Sequence, residues 1–153
     1  MARTSLTPTY LGVNASIVSM GNDGTGMTAI DNTNGMTIPL TTNAIPAKAS
    51  IDRLVILVLN TNATGRTFTV RCATPDGGAT KTGAGTSGQS WETYPGFQGG
   101  KGDFTSSAMI GTTGIGLFAC FEPARFIQPD NSISLDVSGA TGFIAAFFLV
   151  RAY

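Results

Sequence analysis

Apolar positions in this chain come in short runs or alternate with polar ones, and Gly, Asn, Thr and Pro interrupt them every ten residues or so. That is the punctuation of short strands joined by turns. From Arg66 to Ala73, Phe68, Val70 and Cys72 alternate with Thr67, Thr69 and Arg71, which predicts a half-buried strand with one wet face. The run Ile51 to Asn60 is nearly unbroken and rich in β-branched residues, as a strand covered on both faces requires. Further strands are predicted around Tyr10 to Met20, Met27 to Ile30, Met36 to Leu40, Trp91 to Tyr94, Asp103 to Ile110, Gly116 to Phe121, Ser132 to Val137 and Phe143 to Val150. Asp31-Asn32-Thr33-Asn34-Gly35 supplies the positive φ of a tight turn, and Pro39 marks an edge or a strand end. Residues 74–90 hold almost nothing apolar and read as a long Gly-rich loop.

Eight or nine short strands at this spacing predict an all-β fold: a single-domain antiparallel β-sandwich, jelly-roll-like. The opening Ala2-Arg3-Thr4-Ser5-Leu6-Thr7-Pro8 is polar and β-compatible, and reads as an extended N-terminal arm. The expected organisation is an arm over 1–9 and a sandwich over 10–153.

Composition narrows the function. In 153 residues, nine Lys and Arg balance nine Asp and Glu, and only 12% of residues are charged. Scattered basic residues do not make a phosphate-binding face, so no nucleic-acid partner is expected. No apolar run approaches the roughly 20 residues of a bilayer helix, so no membrane partner is expected, and Met1 to Leu11 lacks the hydrophobic stretch of a signal peptide. With no histidine, the commonest general base and metal ligand is missing. Composition therefore points to structure or binding, with no enzyme activity and no cofactor.

The remaining candidates read mostly as structure. Gly83-Ala84-Gly85-Thr86-Ser87-Gly88 matches a phosphate-loop spacing but sits in a glycine-rich loop, without the strand and helix such a site needs. Asp23, Asp31 and Asp130 lie beside Asn or Gly in turns and lack the alternating ligands of a calcium loop, so turn chemistry accounts for them. Glu92 and Glu122 are lone carboxylates, far more often solvated or ion-paired than catalytic. Cys72 and Cys120 read as buried thiols. Trp91, Tyr94 and Phe97 form an aromatic cluster suited either to core packing or to exposed contact with a glycan or protein. Finally, Leu54 to Leu59 and Phe143 to Val150 are apolar on both faces, which a lone sandwich does not need and which favours a homo-oligomer.

Several segments together resemble a known family. The opening Ala2 to Pro8, the run Arg53 to Thr61, the stretch Glu122-Pro123-Ala124-Arg125-Phe126-Ile127-Gln128-Pro129-Asp130-Asn131-Ser132-Ile133-Ser134-Leu135-Asp136-Val137, and Gly142 to Leu149 are similar to the small head decoration, or cement, proteins of tailed bacteriophages. The similarity runs in order along most of the chain and is weakest over Thr74 to Gly102. It implies a structural virion protein: a β-sandwich subunit, a trimer, made in the host cytoplasm and bound to the outer capsid surface, where it bridges subunits of the major capsid protein. Under it the arm, Ala2, Arg3, Thr4, Ser5, Leu6, Thr7 and Pro8, carries the capsid and inter-subunit contact. Glu122, Arg125 and Asp130 hold a structural turn, and Phe126 and Ile133 belong to the core. The competing reading is a carbohydrate-binding sandwich displayed on a virion, with Trp91, Tyr94 and Phe97 meeting the glycan.

Overall fold

The computed structural model describes residues 2–11, 24–40, 53–71, 103–109, 114–119, 126–128, 130–139 and 142–149. Its regular elements are all strands: β1 (Thr4–Ser5), β2 (Thr9–Leu11), β3 (Thr28–Ala29), β4 (Met36–Pro39), β5 (Leu54–Asn60), β6 (Phe68–Val70), β7 (Phe104–Thr105), β8 (Gly114–Phe118), β9 (Ser132–Val137) and β10 (Gly142–Leu149). The expected strands at Trp91 to Tyr94, the loop 74–90 and both cysteines lie outside the described residues, as does most of Tyr10 to Met20.

Two sheets pack face to face as a sandwich. One has the order β1-β4-β9-β6-β7, the other β2-β10-β5-β8, with β3 pairing the start of β10. The pairs β4 with β9, β5 with β8 and β6 with β7 are nested, as when one long antiparallel hairpin is rolled across two sheets. This is the jelly-roll arrangement that strand spacing predicted. To it β10 adds the longest ladder, running antiparallel to β5 from Gly142 opposite Asn60 to Phe148 opposite Leu54.

Period-two patterning decides what meets the core. Leu54, Ile56 and Val58 of β5 and Ile144, Ala146 and Phe148 of β10 point inward from one sheet, against Met36, Ile38, Phe68, Val70, Ile133, Leu135 and Val137 of the other. Phe126 joins them, as expected for it and Ile133. In β9 the alternate residues Ser132, Ser134 and Asp136 are buried too, because this central strand is covered on its outer face as well.

Two details differ from the sequence expectation. The sheets are mixed rather than wholly antiparallel, since β1 pairs β4 and β2 pairs β10 in parallel. Both parallel pairs come from the N-terminal segment, which runs along the rim of one sheet and then crosses to the rim of the other. Within the single chain, then, Ala2 to Pro8 is extended but docked on its own sheets, and β2 spans the expected 9/10 boundary. Pro39 ends β4, the strand-end alternative expected of it, and β4 itself lies between β1 and β9.

At the crossing, Leu6 is 2% exposed and belongs to the core cluster, a burial that contributes about 1.5–3 kcal/mol. Leu6→Ala should therefore cost about 2–5 kcal/mol in urea unfolding, as for other buried leucines. A loss well under 1 kcal/mol would show that the segment does not dock in solution.

Candidate functional site

The N-terminal segment is where the sequence placed binding, and its backbone shows how it is held. Thr4 N–H donates to Gly35 O at 3.0 Å and Leu6 N–H to Thr37 O at 2.8 Å. In a strand paired on one side, alternate N–H groups face the partner and the others face away. The N–H of Ser5 therefore points to the outer rim. Side chains alternate as well: Ser5, Thr7 and Thr9 are exposed, while Leu6 and Pro8 are buried. Ala2 is exposed at the start.

Arg3 does not follow the expectation of a charge offered to a partner. Its Nη1 donates to Asp136 Oδ1 at 2.8 Å and to Leu135 O at 2.9 Å, and the two side chains are only 4% and 7% exposed. The second carboxylate oxygen of Asp136 accepts from Nε of Arg71, whose Nη1 pairs with Asp103. Four alternating charges thus lie across the outer face of the first sheet: Arg3 ahead of β1, Asp136 on β9, Arg71 after β6 and Asp103 before β7. Burial works against the charge of Arg71, but Asp136 and then Asp103 outweigh it and raise its pKa above the ordinary arginine value. Gly35 makes room for the cluster. Its φ of 75° is in the left-handed region, and a Cβ there would overlap Arg3 Nη1 and Asp136 Oδ1.

A second anchor lies one residue on. Thr4 Oγ1 donates to Asp31 Oδ2 at 2.7 Å. Asp31 also accepts from the N–H groups of Thr33 (3.0 Å) and Asn34 (2.9 Å) and from Asn34 Nδ2 (2.9 Å), so its carboxylate organises the turn before β4. The Asn34 backbone and side-chain donors, with Thr4, hold the Asp31 pKa well below the usual carboxylate range. Asp130 does similar local work, its Oδ1 accepting from Ser132 N–H at 3.0 Å and Ser132 Oγ at 2.6 Å beside Asn131, which has a φ of 59°. The other residues expected at that turn, Glu122 and Arg125, and the aromatic cluster Trp91, Tyr94 and Phe97 lie outside the described residues.

The arrangement is a clip: charges and hydroxyls fasten β1 to the rim of a sandwich and leave polar side chains and one edge of backbone facing out. Sequence reasoning missed the buried ion cluster, whose members Arg3 and Asp136 stand 133 residues apart. No family model, curated protein or solved structure matches the chain.

Two measurements check this electrostatic account. Asp136→Ala leaves Arg3 and Arg71 buried without their shared anion and should cost about 3–5 kcal/mol in urea unfolding, more than Arg3→Ala, which leaves Asp136 one partner. Asp31 has a depressed folded value, so its contribution is complete above the unfolded carboxylate value of about 3.9 and is lost as pH falls from there through the folded value. The gap in melting temperature between wild type and Asp31→Asn should be widest near neutral pH and narrow steadily below about pH 4.

Proposed function

We propose that this chain is a structural virion protein that binds the outer surface of a bacteriophage capsid and stabilises it by bridging subunits of the major capsid protein. The observation that carries the reading is the clipped N-terminal segment. It sets polar, extended backbone along the rim of a rigid sandwich, with Ser5, Thr7 and Thr9 exposed and the Ser5 N–H turned outward. Such a rim suits strand addition, in which main-chain hydrogen bonds supply affinity without deep pockets. Many equivalent sites on a shell convert modest contacts into strong avidity. The resemblance of Ala2 to Pro8, Arg53 to Thr61, Glu122 to Val137 and Gly142 to Leu149 to head decoration proteins supports the same reading.

In this proposal the contact is made by the outward groups of the arm. Arg3, Leu6 and Pro8 act from behind by holding it in place. The protein works as a homo-oligomer, a trimer by the resemblance, with no catalytic role, no cofactor, and no nucleic-acid or membrane partner. The clip also decides how the proposal must be tested. Deleting through Pro8 would remove Leu6 from the core and Arg3 from the ion cluster, confusing loss of binding with loss of fold.

The experiment is co-sedimentation with heads that lack the protein, comparing wild type with Ser5→Pro. That substitution removes one outward donor and keeps the two N–H groups that bond β4, and the extended Thr4 before it is compatible with proline. Saturable binding by wild type, weakened roughly ten-fold in Ser5→Pro, is expected. No binding by the wild-type chain would overturn the reading, and retention on a glycan array would then favour the carbohydrate-binding alternative.

A further inference from the structure

The two sides of the sandwich are finished differently. On one side β1 and β2 cover β4 and β10. On the other, β7 and β8 end their sheets, and no strand among the described residues pairs with the outer edge of either. Long edge strands are usually guarded by lysine, proline or a bulge, because an open ladder invites another chain. In contrast, β8 reads Gly114-Ile115-Gly116-Leu117-Phe118, with none of these guards.

Its register assigns the side chains. Phe118 lies opposite Ile56 and Gly116 opposite Val58, both core residues, so Ile115 and Leu117 point outward. They are 66% and 67% exposed, and across the sandwich Phe104 on β7 is 41% exposed with its ring edge-on to Phe118. Between β8 and Ser106 to Met109 runs an open groove of about 430 Å³. No residue lining it is charged, and Asp103 nearby is already paired with Arg71.

We propose that this edge is where two copies of the chain meet, with β8 of one pairing antiparallel to β8 of the other about Gly116. Three observations select a second copy as the occupant. A partner with charges would desolvate them here against nothing, whereas the same edge of a second copy is uncharged by construction. The chain carries no net charge, so copies do not repel one another. The strand is also self-complementary. Centred on Gly116, the pairing sets Ile115 opposite Leu117 of the other copy and the reverse, joining four exposed aliphatic side chains into one cluster on the outer face. Gly116 stays without a side chain because a Cβ there would overlap the Met109 sulfur and the Phe118 ring.

The contact is isologous and joins copies in pairs, so it goes beyond the trimer of the capsid reading and does not depend on it. The test is sedimentation velocity of the full chain across a concentration series, with no heads present. Wild type should show a monomer–dimer equilibrium or higher even-numbered species. Leu117→Lys should weaken it roughly ten-fold or more while the far-ultraviolet circular dichroism stays that of the wild type. Ile115→Lys serves as the second variant should Leu117→Lys not fold. A wild-type chain that stays monomeric, one that associates only in threes, or a dimer untouched by either folded lysine variant would overturn the proposal.

Discussion

Asp136 has one carboxylate and two largely buried arginine side chains against it, and much of the first sheet is arranged around it. The residue sits on the central strand β9, where every side chain is buried, so its charge needs partners on the spot. Arg3 and Arg71 supply them from before β1 and after β6, and Asp103, ahead of β7, completes the alternation. A buried carboxylate with one partner removed is expensive, while a fully paired one fixes geometry more than it adds stability. Here the geometry is the position of the chain's first strand, which the cluster ties to the middle of the sheet.

That tie explains the contrast between the two outer faces. Over β9 the outward residues are Ser132, Ser134 and Asp136, and the Asp136 carboxylate meets the guanidinium groups of Arg3 and Arg71. Over the second sheet the outward residues of β5, β8 and β10 are aliphatic or aromatic, including Leu57, Leu117 and Ala145 in register and Phe147 opposite Val55. On one face the charges are paired within the chain. The apolar face stays exposed at Ile115, Leu117 and Leu149.

Local chemistry was readable along the chain. Alternation in Arg66 to Ala73 foretold β6, and the two apolar runs foretold β5 and β10 within a few residues, because a strand's pattern depends only on which side each residue faces. The turn at Asp31 was likewise visible, since its carboxylate binds donors two and three residues away. The N-terminal segment was not. It looked free because it has no apolar face of its own, yet Leu6 inserts into the core, and Arg3 finds an anion that sequence spacing gives no reason to choose.

Period-two patterning and turn residues therefore determined the class of this protein, a sandwich of short strands. Tertiary structure alone decided which strands of the described residues lie inside a sheet and which end one. Whether Arg3 is a free cation or a buried clip, and whether Ile115 and Leu117 face a core or the solvent, depends on strands brought together from distant parts of the chain, and pairing between distant strands leaves no periodic trace in the sequence of either.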